Sequence, residues 1–518
     1  AIDISLASLV FIHNGNGVRP ILGYARPELR DALLPVLAQG RELSAYGLTE
    51  PAAGSNLPGL QTRAVPAGPG RWKLYGVKRW NASGWAGIFT VFARLVDDKG
   101  RLGRVAAFVL RQDMPGLRFG PESLTMGVRA IMQNSLILDG VEVDEANLLG
   151  TPERGMEIAD EALLIARLCM GAISAGGMKK CAQLMLRYAE RREVSTGTLL
   201  DSPVTLDAMS EVTRRIAAVE ALVDRLVGVL DDGRYPAEEA CMVAKILASD
   251  YLWQTADDCV QLLGGRGFME NNPGPMILRD CRMLRIGEGA NELMTLSIGR
   301  RVKHSRAFRA FIAEELDCPD LELELQEAAA AAMERVLAPG AGFPDRSAAV
   351  AWGQTLAGRV AVATLQHAAL EAATADTPEE REALVQARAW AEARRRAAVR
   401  AAVEGDVRET ARRDSQAIRA AVAGFAADIG DLEQAPPGVE RDIDPMLCRD
   451  PDAPGGPGFD HLPGNARPDA AALDAPAPAA TVAPAPTPAS TPASDAAAEE
   501  KRRRVAALLK RKLAPSDT

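Results

Sequence analysis

The spacing of apolar residues changes along the first part of the chain, and each change marks a predicted boundary. Residues 1–43 favour helices, with a turn at the glycines of His13–Gly17 and a helix from Arg26 to about Ala38. Runs of β-branched and aromatic residues, separated by Gly, Asp or Asn, then predict a compact β domain over 44–150. The predicted strands include 72–75, 88–92, 105–109 and 135–138.

A helical spacing of apolar residues returns at Gly155 and continues to about residue 430. Within 151–303 it predicts an antiparallel bundle of long helices. A second helical block, rich in Ala, Arg and Glu, occupies 304–434 and contains strongly amphipathic stretches. The fold class is therefore mainly α with a central β domain. The predicted helices are 155–193, 206–232, 236–263 and 288–315 in the bundle, and 350–370 and 379–403 in the second block.

The last part of the chain has a different composition. Pro, Ala, Gly, Ser, Thr and Asp dominate 435–497, which predicts an extended, disordered linker because such a segment cannot bury a core. Residues 498–518 predict a short amphipathic helix with a basic face. Its apolar residues are Val505, Leu508 and Leu509, and its seven positive charges lie at 501–504 and 510–512.

Composition and charge exclude several classes of protein. A chain of 518 residues is too long for one compact core, so several domains are expected. A net charge of −9 argues against general nucleic-acid binding. Seven cysteines without a CxxC pair indicate a reducing compartment, and four histidines without HExxH spacing indicate no metal site. No signal peptide and no membrane-spanning run are evident, which favours a cytoplasmic protein.

Four local motifs follow one another along this order of elements. They are YGLTEPAAGS at 46–55, KRWNASG at 78–84, QLLGGRGF at 261–268 and RDCRMLRIGEGAN at 279–291. Together they resemble the signature of the acyl-CoA dehydrogenase family over residues 1 to about 303. The block after residue 303 is most similar to the very-long-chain, two-domain branch. The resemblance implies a truncated N-terminal helical segment (1–43), a β-barrel-like middle domain (44–150), a C-terminal helix bundle (151–303) and an appended helical domain (304–434).

The resemblance also implies FAD as the cofactor and a homodimer as the assembly. Arg192 matches an arginine at the FAD pyrophosphate of the neighbouring subunit, and 261–265 matches a segment at its adenosine end. From the residues alone, each of these segments also has an ordinary explanation. The loop at 46–55 fits a Gly-Ser turn, and Trp80 fits a buried core residue. The glycines at 264–265 fit a helix C-cap, and 190–193 fits a solvated charge run. The cofactor-binding residues that the resemblance implies are Tyr46, Leu48, Thr49, Gly54, Ser55, Trp80, Ala82, Arg192, Gln261, Gly264, Gly265 and Asn291.

Glu288 is the candidate catalytic base. Removal of an α-proton from a thioester needs a carboxylate in a dry pocket, where burial raises its pKa towards neutrality. Gly289 allows the backbone to approach the thioester, and the N–H of residue 288 can polarise its carbonyl. The resemblance implies substrate contacts for Ser55, Arg167 and Gly289. The alternatives are a helix N-terminal acid at Glu288 and a structural ion pair at Arg167.

The sequence departs from the family pattern near the cofactor. Ala82 stands where the family has a hydroxyl residue, and Ala290 replaces a threonine that helps to hold FAD. Gly287 replaces an aromatic residue. The expected activity is FAD-dependent α,β-dehydrogenation of an acyl thioester; the alternatives are an inactive or flavin-weak scaffold protein and an oxygen-using acyl thioester oxidase.

The terminal segment 498–518 resembles short docking helices of modular polyketide and nonribosomal peptide synthases. A basic helix with an apolar stripe suits an acidic groove on a partner, which indicates an acyl group carried on a protein or on CoA. A solubilising tail and a helix that lies on an anionic membrane surface are the alternatives.

Overall fold

A computed structural model describes residues 3–82, 86–195, 197–405 and 414–430. The chain separates into two compact units, 1–467 and 468–518, and the second unit lies wholly outside the described residues. The predicted linker 435–497 and terminal helix 498–518 therefore remain predictions. Everything below concerns the first unit.

The N-terminal segment is helical, as the sequence predicts, but the predicted turn at His13–Gly17 is wrong. A π-helix over Ile12–Val18 joins helix α1 to α2 without interruption, and the N–H of Arg19 donates to the carbonyl of Asn14. A π-helical turn contains one residue more than an α-helical turn, and the glycines at positions 15 and 17 permit this geometry. Asp3 caps the first helix by accepting from the N–H of Leu6 at 2.8 Å. The α-helices are α1 (Ile4–Phe11), α2 (Arg19–Tyr24) and α3 (Pro27–Ala38).

Eight strands form one sheet after α3. Along it the order is β6-β7-β3-β2-β4-β5-β8, and β1 pairs with β4 in parallel. Strand β4 is buried over most of its length because helices and sheet cover both its faces, which explains its continuous apolar sequence. The four predicted strands are confirmed. The strands are β1 (Leu43–Gly47), β2 (Arg63–Pro66), β3 (Arg71–Asn81), β4 (Ala86–Val96), β5 (Leu102–Arg111), β6 (Leu117–Phe119), β7 (Asn134–Asp144) and β8 (Leu148–Leu149).

The helix bundle begins with α4 (Gly155–Arg191), α5 (Pro203–Asp231) and α6 (Glu238–Leu263). Helices α4 and α6 run in the same direction, because Arg167 meets Glu238 near the start of α6 whereas Gly177 faces Leu252 further along it. Helix α5 packs against both of them, with the ion pairs Lys179–Glu220 to α4 and Arg215–Asp258 to α6. The first three predicted bundle helices are confirmed. A small hairpin of 193–194 and 197–198 (β9 and β10) follows α4.

The predicted helix over 288–315 is wrong. The chain instead forms α7 (Pro273–Leu284), a loop over 285–290, α8 (Asn291–Arg301), α9 (Arg306–Ala310) and a π-helical turn over Phe311–Glu315. Glu288 has a φ of 55° and Gly289 a φ of 100°, so neither residue has helical geometry. Ser305 restarts the helix by accepting from the N–H of Phe308.

The appended block contains α10 (Pro319–Leu337), α11 (Arg346–Ala372), α12 (Pro378–Glu404), α13 (Ser415–Gly424) and α14 (Ala426–Ile429). The predicted helices at 350–370 and 379–403 are confirmed. Thr377 and Glu380 form a capping box at the start of α12. Helix α11 packs directly on α8, so the block continues the bundle rather than forming a separate core. None of the helices within the described ranges is long and apolar enough to cross a membrane.

Helices α8 and α11 approach so closely that only glycine fits at their crossing. A Cβ on Gly358 would overlap with the backbone carbonyl of Thr295, and one on Gly299 would overlap with that of Gln354. Gly358→Ala is therefore expected to destabilise the protein by about 1–3 kcal/mol or more, because backbone must move. Urea denaturation measures the loss as a lower midpoint.

Gly228→Ala is the matched control, since Gly228 lies within α5 and its Cβ position meets no atom within 4 Å. This variant is expected to gain up to about 1 kcal/mol from better helix propensity. Equal stability of the Gly358→Ala variant and the parent protein would contradict the close packing of α8 and α11.

Candidate functional site

The loop between α7 and α8 carries the candidate base. Glu288 occupies the left-handed region, which costs free energy for a residue other than glycine and persists only where the surroundings fix it. Helix α8 begins three residues later, at Asn291. Glu288 therefore lies outside the first turn of the helix, and the helix N-terminal acid is Glu292.

Two cations from the bundle hold the backbone of this loop. Arg167 on α4 donates from Nε to the carbonyl oxygen of Glu288 at 3.2 Å, and Lys245 on α6 donates from Nζ to that of Gly289 at 2.7 Å. Both cations are buried, and Arg167 also pairs with Glu238 at 3.3 Å. Because both carbonyls are taken up by the bundle, the peptide units around Glu288 are fixed in orientation.

A polar network ties the loop to α6. Asn291 accepts a hydrogen bond from Lys245 Nζ at 2.8 Å and donates to Asp250 at 2.9 Å. Arg285, at the other end of the loop, donates to the same oxygen of Asp250 at 2.6 Å. The side chain of Asn291 is buried, and its hydrogen bonds support the loop over 285–290.

The carboxyl of Glu288 is partly buried and accepts a hydrogen bond from Asn16, whose Nδ2 lies 2.8 Å from Oε1. Burial raises the pKa of Glu288, while the Asn16 hydrogen bond and the charges of Arg167 and Lys245 oppose this rise. Burial lowers the pKa of Lys245 to about 7, against the effect of the Glu288 charge. The site therefore combines a base of raised pKa with cations that favour its ionised form.

Tyr46 on β1 places the sheet close to the same carboxyl. Its ring packs edge-on against Phe92 with centroids 4.9 Å apart, and its hydroxyl donates to the carbonyl of Ala159 at 3.4 Å. Burial, and then the negative charge of Glu288, raise the pKa of Tyr46. Tyr46 is thus a neutral group at the boundary between sheet and bundle.

The segment after β1 is anchored by a buried ion pair. Lys78 on β3 donates from Nζ to Oε1 of Glu50 at 2.7 Å and to the carbonyl of Leu48 at 3.2 Å. Burial alone would raise the pKa of Glu50, but Lys78 and the N–H groups of Gln61 and Thr62 outweigh it and lower the pKa. Beyond this anchor, Gly54 and Ser55 are exposed and Thr49 is half-buried.

Trp80 is a partly exposed aromatic residue on the sheet. It has a φ of 55° at an irregularity in the β3–β7 pairing, and its side chain is 49% exposed. The Arg79 guanidinium lies 4.8 Å from the centroid of its ring. Such irregularities redirect side chains beside binding sites. Ala82, immediately after β3, is half-buried and brings no side-chain donor.

The residues predicted for the far end of the cofactor lie away from Glu288 on this chain. Gln261, Gly264 and Gly265 are exposed at the C-terminal end of α6, and Arg192 is exposed at the corresponding end of α4. Gln261 is sixteen residues beyond Lys245 on α6, which corresponds to about 24 Å. The structure therefore brings together Glu288, Arg167, Gly289 and Tyr46, and places the second group at the opposite end of the bundle.

Two residues of the site were missed by sequence reasoning. Asn16 was assigned to a turn, although a π-helix often marks a functional site. Lys245 lies within the apolar run from Cys241 to Ala248, and a lone cation in such a run of a long helix is a signal of a buried, paired charge. Over the described residues, no group of His, Cys, Asp or Glu is arranged to hold a metal ion.

Comparison with known proteins assigns this architecture to a family. The model for the middle domain of acyl-CoA dehydrogenases matches residues 45–141, and the model for their C-terminal domain matches 153–303. The mitochondrial very long-chain specific acyl-CoA dehydrogenase of Mus musculus is 30% identical over 302 residues, covering 57% of this chain and 46% of that protein. The chain thus spans about half the length of that relative.

A second relative is matched over more of its length. Cyclohexane-1-carbonyl-CoA dehydrogenase of Geobacter metallireducens is 31% identical over 297 residues, which cover 57% of this chain and 77% of that enzyme. The chain belongs to the acyl-CoA dehydrogenase family.

The fold extends beyond the matched domains. An acyl-CoA dehydrogenase of Bacillus anthracis, whose structure was determined with FAD, superposes with a TM-score of 0.63 at 23% identity. The match covers 80% of this chain and 77% of that chain, so it includes helices after residue 303. At this identity the likeness concerns the fold alone.

Proposed function

We propose that this protein catalyses FAD-dependent α,β-dehydrogenation of an acyl thioester, with Glu288 as the base that takes the α-proton. The observation that carries the proposal is the position of Glu288 in a left-handed turn held by Arg167 and Lys245. Stored strain and a raised carboxyl pKa at one residue are typical of a catalytic group.

The surroundings of Glu288 suit a general base. A base works best when its pKa lies near the working pH, and burial moves the carboxyl in that direction. The positive charges of Arg167 and Lys245 keep a useful fraction of it ionised. Because only the ionised form accepts a proton, the rate should fall as the pH drops through the raised pKa of Glu288.

The backbone beside Glu288 is suited to polarise the thioester carbonyl. Among the described residues, the N–H of Glu288 donates no hydrogen bond to backbone or side chain. The carbonyls of Glu288 and Gly289 point to cations of the bundle. This N–H is therefore free to stabilise the negative charge that develops on the thioester oxygen when the α-proton leaves.

The residues on the sheet fit FAD as the cofactor. Trp80 offers a half-exposed aromatic face beside Ala82, and the anchored segment at Glu50 leaves Gly54 and Ser55 accessible for close backbone approach. When bound, FAD supplies the acceptor for the β-hydride. The small side chain of Ala82 leaves hydrogen bonding at that point to the backbone.

The separation of the two groups of cofactor residues supports a homodimer. Arg192 and the segment 261–265 lie at the C-terminal ends of the parallel helices α4 and α6, and Gln261 is about 24 Å along α6 from Lys245, which holds the Glu288 loop. As the family resemblance implies, this exposed end would serve the site of the partner subunit in a twofold dimer.

The proposal is tested by anaerobic titration of the purified, flavin-containing protein with acyl-CoA thioesters of increasing chain length. Loss of flavin absorbance on addition of a thioester supports dehydrogenation. Reoxidation in air at the rate of turnover, with release of hydrogen peroxide, would instead identify an oxidase. A colourless protein that takes up no FAD would overturn the proposal and favour a scaffold role.

The terminal segment 498–518, which lies outside the described residues, is proposed to dock on a carrier or synthase partner. Removal of 498–518 should leave turnover of an acyl-CoA unchanged and should weaken turnover of a carrier-bound acyl group. Raising the salt concentration should have the same effect on the full-length protein, because exposed charges are screened over about 8–10 Å. Equal activity of both proteins on the carrier-bound substrate at low salt would contradict docking.

A further inference from the structure

The π-helix of the N-terminal segment brings an amide to the catalytic carboxyl. Asn16 lies within Ile12–Val18 and is only 3% exposed. Its Nδ2 donates to Glu288 across 272 positions of sequence. Amide and carboxyl are therefore in direct contact, although the family motifs contain only the carboxyl.

The position of this amide is fixed by the sheet. The Nδ1 of His13 accepts from the N–H of Ser44 at 3.0 Å, and a Cβ on Gly17 would meet the backbone of Ser44 at 2.6 Å. The π-helix is thus held against the start of β1 on both sides of Asn16. The side-chain amide of Asn16 is therefore held close to Glu288, and the position of its second polar atom is fixed as well.

That second atom, Oδ1 of Asn16, is buried and has no hydrogen-bond partner among the described residues. Since the two polar atoms of one amide are close together, Oδ1 lies within about 5 Å of the Glu288 oxygen that Nδ2 contacts. Buried acceptors are normally satisfied, and an unsatisfied one destabilises the protein. An acceptor kept beside a catalytic base indicates a donor on the ligand.

We propose that Asn16 is a substrate-binding residue that selects acyl thioesters carrying a hydroxyl group on the α- or β-carbon. This inference rests on the proposed function, because a base that removes the α-proton must have the α-carbon next to it. The substituents of that carbon and of its neighbour then come within reach of Oδ1. A purely aliphatic acyl group would leave Oδ1 unpaired, and sites built to bind a hydroxyl reject analogues that lack it.

The surrounding charge favours a hydroxyl over a protonated amine. Arg167 and Lys245 both approach the backbone at Glu288 and Gly289, and the neighbouring carboxylate of Glu238 already pairs with Arg167 at 3.3 Å. An ammonium group would add a third positive charge to this space. A neutral hydroxyl donates to Oδ1 without that repulsion.

The test compares butyryl-CoA with 2-hydroxybutyryl-CoA and 3-hydroxybutyryl-CoA. Binding is measured by calorimetry in flavin-containing Glu288→Gln, which cannot remove the proton and keeps an acceptor for Asn16 Nδ2. One hydroxylated ligand should bind at least about fivefold more tightly than butyryl-CoA, the gain expected from one net hydrogen bond. Whichever of the two does so identifies the carbon that carries the hydroxyl.

Two further variants assign the preference to Asn16. In Asn16→Leu/Glu288→Gln this preference should disappear. Asn16→Ala/Glu288→Gln repeats the test without the added bulk of leucine. Asn14→Leu/Glu288→Gln is the matched control, because Asn14 lies exposed in the same π-helix and its side-chain amide donates to the carbonyl of Val10. It should keep the preference.

Three outcomes would each overturn the role of Asn16. They are equal binding of all three ligands, a preference that survives both Asn16 variants, and a preference that is also lost in the Asn14 variant. These outcomes leave the proposed function intact if a thioester still reduces the flavin of the unmodified protein. Absence of flavin reduction by any thioester would instead count against the proposed function itself.

Discussion

Glu288→Gln should retain FAD and lose the reduction of its flavin by substrate. The amide has nearly the same shape as the carboxyl and still accepts the hydrogen bond from Asn16 Nδ2, so the loop should keep its structure. It cannot accept the α-proton, however. General bases contribute about 10²–10⁴-fold to a rate, and a decrease of this size is expected in the rate constant for flavin reduction. Stopped-flow absorbance under anaerobic conditions measures that constant.

Glu292→Gln is the matched control for this experiment. Glu292 is an exposed acid in the first turn of α8, so its loss removes the favourable interaction with the helix dipole. Its flavin reduction should stay within a few-fold of the parent protein. If Glu288→Gln reduced its flavin as fast as the parent, Glu288 would not be the base.

The pH dependence gives a second measurement on the same residue. Burial raises the pKa of Glu288, so the rate of flavin reduction in the parent protein should begin to fall at a higher pH than for an exposed carboxyl. Lys245, whose pKa is about 7, loses its charge above neutrality and with it part of the support for the ionised Glu288. A rate that fell only at the pH of an ordinary carboxyl would contradict the burial of this base.

Much of the fold follows from local sequence signals. The bundle helices α4, α5 and α6 and the strands β3, β4, β5 and β7 lie where periodicity and composition predict them, because each buries a continuous apolar face. Glu288 could also be found, because the motif at 279–291 resembles the family signature. The roles of the predicted site residues remain proposals for which the structure supplies the geometry.

The wrong predictions at 13–17 and 288–315 have one physical cause. At both places, contacts with residues distant in sequence decide the local structure. The predicted helix over 288–315 is broken at Glu288 and Gly289, whose carbonyls are held by Arg167 and Lys245, more than forty positions away in sequence. In the same way, the π-helix at Asn16 depends on contacts with β1. No window of local sequence contains these partners, so periodicity continues a helix where tertiary contacts end it.

Lys78→Met should destabilise the protein and loosen the segment that leads to Gly54 and Ser55. Lys78 is fully buried, and its ammonium is the cation that faces the carboxylate of Glu50 at 2.7 Å. Methionine fills the space but leaves Glu50 buried with a charge and only the N–H groups of Gln61 and Thr62 as partners. Removal of one partner of a buried pair costs about 3–5 kcal/mol. Urea denaturation at neutral pH measures the loss of unfolding free energy, and FAD affinity should fall with it.

Three comparisons separate the buried charge from other effects of Lys78→Met. Lys73→Met, on the same strand, breaks an exposed pair with Glu142 and should cost about 1 kcal/mol or less. Adding Glu50→Gln to Lys78→Met should recover part of the loss, because it removes the unpaired charge.

The third comparison is the pH dependence. In the parent protein the pKa of Glu50 is lowered, so its stabilisation is present above the pKa of an unfolded carboxyl and is lost as the pH falls through the lower, folded value. Lys78→Met removes the charge that opposes the effect of burial on the pKa of Glu50, so the penalty should shrink as the pH falls and Glu50 is protonated. A penalty that is the same at every pH and in the double variant would show that packing, rather than the charge of Glu50, accounts for the loss.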